Sequence, residues 1–448
     1  MEATVKTYPI TARESQSILQ ALRTGVVPKV GLRHLHVGRS REIVEMVKDI
    51  DRVAGGGASL RFIIGEYGSG KTFFLSLVRQ IAIDHGLVVT SADLTPSRRV
   101  HGTNGEARSL MQELTKNLAT RLKPEGGALA SIIERFLAAA LGEERLATSS
   151  DDQAIQKRLG PLEELVSGFD FAAAVVRYAR AYRNGDEGCK SAALRWLRAE
   201  YVNGADARSA LSMRNIIDDS VVYDHLKVLA RFVKLAGYDG LLVVLDEMVN
   251  LHKLINSQAR NANYEQLLHI VNDVLQGAAA DIGFVMGGTP EFLEDARRGL
   301  YSYPALASRL AENRFAHQQI VDLSGPVIRL QNLAPEDLLA LLGNIRHVFT
   351  SGGLARHAVP DEALIAFLEH CSRKIGDAYF RTPRNTVTAF VGMLSLLEQN
   401  PGTGWRDVIG MVDVVPDKSD GRATSEAVQQ YDPGSANSPD DELASFRL

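Results

Sequence analysis

The residues with the clearest chemical potential lie in "RFIIGEYGSGKTFFLSLVRQ", which begins at Arg61. Gly65, Glu66, Tyr67, Gly68, Ser69, Gly70, Lys71 and Thr72 spell a glycine, any four residues and Gly-Lys-Thr, with Phe73 next. That spacing has a physical cause. Glycines let successive backbone N–H groups turn inward around phosphate oxygens, and a following helix points its positive end at them. A lysine at this position reaches the terminal phosphates, and the threonine hydroxyl can ligate magnesium. The bland alternative is a glycine-rich turn with a surface lysine. The apolar run before the loop and the helix-like run after it favour a phosphate site.

A second constellation closes the apolar run in "GYDGLLVVLDEMVNL". Asp246 is expected to hold the magnesium, usually through water, and Glu247 to polarise the water that attacks a γ phosphate. Adjacent acids at a strand end are common, so their weight comes from following the loop in this order. A glutamate beside the magnesium aspartate suits hydrolysis rather than transfer to a second substrate. The sequence contains no Asn-Lys-x-Asp guanine-reading segment, so ATP with Mg2+ is expected rather than GTP.

Three single residues join these groups more loosely. Thr289, in "IGFVMGGTPEFL", is a candidate to sense the γ phosphate from a strand end, or is simply a helix cap before Pro290. Arg309, in "RRGLYSYPALASRLAENRF", could stabilise transition-state charge at a neighbouring subunit's nucleotide, or could be solvated or paired locally. Arg384, in "GDAYFRTPRNTV", could reach the γ phosphate from a helix start, with Arg381 as the alternative. An arginine there opposes the helix dipole unless an anion offsets it. Upstream, Val37, Gly38 and Arg39 lie in a segment that could wrap the adenine, whereas His34 and His36, with no further ligand nearby, are read as structural.

The elements that must position these groups follow from the apolar runs. "LRFII" from Leu60, "LVVTSA" from Leu87, "LLVVL" from Leu241, "IGFVM" from Ile282 and "GPVIRL" from Gly325 read as five buried parallel strands. Strands alternating with helices predict an α/β fold, with ligands beyond the carboxyl ends of the strands. The stretch between the second and third strands is far too long for one crossover loop and has helical periodicity, so a large helical insertion is expected at about 100–235. The helix-like segments after "GPVIRLQNL" predict a small C-terminal helical lid. The expected division is an N-terminal segment with adenine-side contacts at 1–50, an ATPase core at 51–330, a lid at 331–400 and a tail at 401–448, largely disordered from about 415.

Composition bounds the function classes. A 448-residue chain with a formal net charge of −4 is not a polycation, so nucleic-acid contact would need a local patch or a partner. Two cysteines, Cys189 and Cys371, are too few for a disulfide framework or a cysteine-ligated zinc site. The first residues lack an export signature, and no apolar run approaches the ~20 residues that span a bilayer. A cytoplasmic location without a membrane is expected.

The phosphate loop, long crossover, Asp-Glu strand end, polar strand end, "SRL" arginine and lid arginine together resemble an AAA+ P-loop ATPase of the Orc-like initiator and clamp-loader branch. More specifically, "GTPEFLEDARRGLYSYPALASRL", "LSGPVIRLQNLAPEDL" and "KIGDAYFRTPRN" are similar to the BREX-system ATP-binding family of the BrxC/BrxD type, with a length that fits the BrxD member. The resemblance implies a role in bacterial antiphage defence beside a helicase and a modification enzyme. It also implies a homo-oligomer that turns over ATP to drive assembly or loading; the alternative is a nucleotide-gated scaffold without significant turnover. Two departures stand out. Residues 401–448 are too few and too polar for the winged helix with which Orc-like proteins read DNA, so DNA contact is expected to be indirect or to come from the insertion. Arg384 follows Asp377 by seven positions, whereas initiator lids usually place the sensing arginine directly after a Gly-Asp pair.

Overall fold

The computed structural model describes residues 10–144, 151–313, 322–351, 359–381, 383–412 and 414. The tail expected to be disordered from about 415 lies outside them. All five apolar runs form strands: β1 Ala58–Ile64, β2 Val88–Asp93, β3 Leu241–Asp246, β4 Ile282–Gly288 and β5 Val327–Arg329. They build one parallel sheet in the order β2-β3-β4-β1-β5. The α/β fold with a five-stranded parallel sheet and helical additions is therefore observed as expected. Near-continuous burial along β1, β3 and β4 explains why the runs lack polar alternation: both sheet faces are covered.

On one face lie α2 Ser40–Ala54 and α3 Lys71–Asp84, packed on Ile63, Val89, Leu242, Val244, Val285 and Ile328. Helix α1, Ala12–Arg23, packs elsewhere. The opposite face carries the insertion: α4 Glu106–Lys116, α5 Leu129–Glu144, α6 Asp151–Glu163, α7 Gly168–Asn184, α8 Glu187–Leu197, α9 Gly204–Leu211 and α10 Val222–Leu235. Its aromatic residues Phe136, Phe171, Trp196 and Phe232 share a continuous apolar core with Phe62, Val243 and Phe284 of the sheet. Fully burying a side chain of this size contributes about 1.5–3 kcal/mol, so the insertion is a structural layer of the core rather than an appended module.

After β3 come α11 Val249–His252 and α12 Ser257–Gln276; after β4 come α13 Pro290–Glu294 and α14 Pro304–Arg309. The remaining helices are α15 Pro335–Ser351, α16 Asp361–Ile375, α17 Ala378–Arg381, α18 Pro383–Gln399 and α19 Trp405–Ile409. They form a second apolar cluster around Leu342, Phe367 and Phe390. Helix α1 joins this cluster through Ile18 and Leu19. Ser15 Oγ donates to Val348 O (2.8 Å), Arg23 Nη2 to Ser395 Oγ (2.8 Å) and Thr388 Oγ1 to Leu22 O (3.1 Å). The lid thus draws helices from both ends of the described chain. No helix of the described residues is long and apolar enough to cross a membrane.

One buried ion pair fixes the strand that leads into the glycine loop. Arg61 of β1 and Asp49 of α2 are 5% and 2% exposed, with Arg61 Nε 2.5 Å and Nη2 3.2 Å from the carboxylate oxygens. Arg61 Nη1 also donates to Leu323 O at 2.8 Å and to Gly325 O, which fastens the chain just before β5. Arg61→Met should therefore destabilise the protein by about 3–5 kcal/mol, because it strands a buried carboxylate, while Arg61→Met/Asp49→Leu should recover most of that loss. Urea denaturation followed by circular dichroism checks both, and a single variant within about 1 kcal/mol of wild type would show that the pair is not doing this.

Candidate functional site

The ends of β1, β3 and β4 finish at one level, and everything in the site hangs from them. Ile64 pairs with Gly288 and Leu245 with Met286, and the chain leaves β1 through Gly65, whose N–H donates to Gly288 O at 3.2 Å. Gly65 has a steric reason to be glycine. A Cβ there would lie 2.5 Å from Ser69 Oγ and 3.1 Å from the Leu330 carbonyl. Gly70, with φ = 82°, makes the left-handed turn that starts α3. Ser69 is buried and its hydroxyl has no hydrogen-bond partner among the described residues. Glu66 and Tyr67 are exposed on the loop's outer side.

Lys71 folds back over this loop. Its Nζ donates to the carbonyls of Gly65 (2.7 Å) and Glu66 (2.8 Å). Burial pushes its pKa down, while the nearby charges of Asp246, Glu247, Glu66 and Glu291 oppose that shift. An ammonium held on two carbonyls with four carboxylates around it is ready to exchange those carbonyls for anionic oxygens. Phe73, in the first turn of α3, packs against the lid cluster.

Thr72 and Asp246 meet directly, with Oγ1 donating to Oδ2 at 3.0 Å. Burial raises the Asp246 pKa, the bond from the Glu247 N–H (2.8 Å to Oδ1) lowers it, and the Glu247 charge raises it again. Hydroxyl and carboxylate oxygens side by side form a hard donor set that fits Mg2+, which takes one or two protein oxygens and keeps several waters. Among the described residues, no group of three or more His, Cys, Asp or Glu could hold a metal ion, so such an ion would depend on ligand oxygens for the rest of its shell.

Glu247 is exposed, with φ = 56°. That left-handed conformation costs a non-glycine residue about 1–3 kcal/mol and persists where surrounding structure over-determines it. The Met248 N–H, 3.0 Å from Gly287 O, and the Asn250 N–H, 3.0 Å from Glu247 O, pin the turn on both sides. Thr289 begins α13 in an extended conformation, yet its side chain makes no cap hydrogen bond. Its hydroxyl is buried without a partner among the described residues, so the cap reading leaves it unexplained.

Of the other expected residues, Arg309 and Arg384 make their contacts elsewhere, whereas Arg39 reaches the loop. Arg309 Nε donates to Asn272 Oδ1 of α12 and Nη1 to Ala305 O at 3.0 Å, so the guanidinium is held locally on the surface of the chain. The Arg384 stem lies over Gly25, where a Cβ would sit 3.2 Å from Arg384 Cγ; it is exposed on the lid. The side chain of Arg381 lies outside the described residues. Val37 is half-buried, and Gly38 abuts Asp337, whose Oδ1 would be 3.2 Å from a Cβ there. Arg39 reaches the glycine loop, donating to the Ser69 carbonyl and to that of Gly70 (3.5 Å). His34 lies beside Glu14 with Nε2 3.6 Å from Oε1, which accords with a structural role.

Sequence reasoning missed two supports. Arg329, at the end of β5, is bonded to Glu312 through Nε (2.8 Å) and Nη2 (2.6 Å) and to Glu294 at 2.5 Å, which ties the segment after Arg309 to the sheet. Asn272 supports Arg309 directly. Neither has a local sequence signature, because each partner is brought in by the fold.

A five-stranded parallel sheet in this order, with a Gly-Lys-Thr loop leaving β1 and an acidic pair ending β3, is the core of an AAA+-like protein. The chain belongs to the family described as BREX system ATP-binding protein BrxC/D, whose model matches residues 10–413. No curated protein matches the chain.

Gly65→Ala should weaken binding of a fluorescent ATP analogue at least ~10-fold, equivalent to ~1.4 kcal/mol, with little change in melting temperature. Ser69 can rotate away from the new methyl, but the Leu330 carbonyl cannot. Unchanged affinity in the titration would show that the loop does not need this close approach.

Proposed function

We propose that this protein hydrolyses ATP with Mg2+ to drive assembly or loading in a BREX-type antiphage defence system, acting as a homo-oligomer with a helicase or DNA. The observation that carries the reading is the Thr72–Asp246 pair at 3.0 Å, with strained Glu247 next to it and the Lys71 loop opposite. In this reading the loop's N–H groups and Lys71 hold the β and γ phosphates, Thr72 and Asp246 hold the magnesium, and Val37, Gly38, Arg39 and Phe73 line the base side. When bound, the magnesium supplies positive charge that neutralises the phosphates. Glu247 accepts a proton from water as that water attacks the γ phosphorus, and the bond to the bridging oxygen breaks to release ADP. Thr289 offers its unpartnered hydroxyl to the γ phosphate or the attacking water. Arg309 acts at the next subunit, and Arg384 follows from the lid.

Glu247→Gln keeps size and geometry while removing the proton acceptor, so phosphate release should fall at least ~100-fold with ATP affinity nearly unchanged. Equal, non-zero rates for variant and wild type would remove Glu247 from that role. Intact ATP retained by wild type with no turnover would instead favour a nucleotide-gated scaffold.

Mixing Arg309→Ala with Lys71→Ala subunits, each inactive alone, should restore part of the activity. The Lys71 loop of one subunit would then face the arginine of the other. No recovery at any mixing ratio would argue against action in trans.

A further inference from the structure

The chain passes between core and lid twice. Because α1 is built into the lid cluster, residues 24–39 carry the chain from lid to core, and residues 330–334 carry it back into α15. Both crossings run beside the glycine loop, and one side chain bonds to the loop and to the second crossing while sitting at the end of the first. Arg39 Nη2 donates to the Ser69 carbonyl and to that of Gln331 (3.2 Å), and Nη1 donates to that of Gly70 (3.5 Å). Among the described residues its guanidinium is hydrogen-bonded to carbonyls alone, with Glu42 and Asp337 as the nearby anions.

Further contacts hold the two crossings together. Asn344 Nδ2 of α15 donates to His36 O at 3.4 Å, and Asp337 both accepts from the Ala334 N–H (3.1 Å) and packs on Gly38. Arg39 holds φ = 56° at the residue just before α2, a conformation uncommon outside glycine. A guanidinium suits this place because its rigid fork of five donors can serve several carbonyls at once, which a lysine ammonium on a flexible stem cannot do.

We propose that Arg39 is a positioning residue that couples the glycine loop to both lid crossings, so that filling the loop with nucleotide is transmitted to the lid through this side chain. A ligand moves a lid only if it interacts differently with the lid's two positions. Phosphates entering the loop must take Lys71 from the carbonyls of Gly65 and Glu66. The loop's outer carbonyls, at Ser69 and Gly70, are bonded to Arg39, and Arg39 is bonded to Gln331. A shift of the loop then strains the lid crossing unless the lid follows. The inference rests on the reading of the loop as an ATP site.

Amide hydrogen exchange of residues 24–39 and 331–345, measured with and without a saturating non-hydrolysable ATP analogue, tests it alongside a separate binding titration. In wild type the analogue should slow exchange in both segments at least ~5-fold. With the analogue raised until the titration shows each variant saturated, so that occupancy rather than affinity is matched, Arg39→Gln should lose the slowing at 331–345. Arg39→Lys, which keeps the charge without the fork and guards against a misfolded glutamine variant, should lose it too. If either folded variant keeps full slowing at saturation, Arg39 contacts only the base or merely stabilises the fold, and the coupling role is overturned. Binding by wild type without any slowing overturns it as well. Failure of wild type to bind the analogue would instead sink the ATP reading itself.

Discussion

Because Ile64 pairs with Gly288 and Leu245 with Met286, the carboxyl ends of β1, β3 and β4 are held at one level, and the site exists only in that register. Side chains alternate across a strand, so a one-residue slip of β3 would send Asp246 to the opposite face and bury a neighbour in its place. The Thr72 hydroxyl would lose the carboxylate it now meets at 3.0 Å. The register is in turn enforced from both sides: the insertion covers one face through Phe62, Val243 and Phe284, and α2 and α3 cover the other through Ile63, Val244 and Val285. The insertion, distant in sequence from the loop, thus helps decide where its ligand groups stand.

Within that frame the centre retains groups whose needs the protein alone does not meet. The hydroxyls of Ser69 and Thr289 are buried without partners among the described residues, and an unmade hydrogen bond of this kind costs about 1–3 kcal/mol. Glu247 carries a further backbone cost in its left-handed turn. Lys71 is satisfied, but by loop carbonyls that a stronger anionic acceptor would replace. These costs fall around one loop, whereas the ion pair of Arg61 and Asp49 a few residues upstream is fully partnered. Unmet hydroxyls, a strained carboxylate and an exchangeable ammonium gathered around one loop are what a ligand site leaves in a fold.

The strands, the loop and the acidic pair were legible because their signals are local. Burial on both faces demands unbroken apolar runs, and a phosphate cradle demands glycines and a lysine at set spacing. The helical insertion was legible as a length and a period, but not as the covering of one sheet face. What sequence could not show was partnership across the chain. The apolar stripe of α1, with Ile18 and Leu19, fits an N-terminal segment of the core as well as it fits the lid where it packs. Arg39 reads as an adenine-side residue, but that its guanidinium also spans the Ser69, Gly70 and Gln331 carbonyls was hidden, because backbone carbonyls have no residue type to betray them. Arg384 shows the same limit, since its stem lies on Gly25, far away in sequence.

The position of α1 changes what the lid can do. A lid joined to its core by one linker can swing about that linker almost independently of the loop. Here there are two crossings, at 24–39 and 330–334, and Arg39 and the Asn344–His36 contact bind them to each other. Two crossings held together leave the lid fewer independent motions than a single linker would. Phe73, in the first turn after the loop, packs against the lid cluster as well. On the coupling proposed for Arg39, a displacement of the loop would reach the lid cluster through that side chain and Phe73, without any contact between α16 or α18 and the ligand.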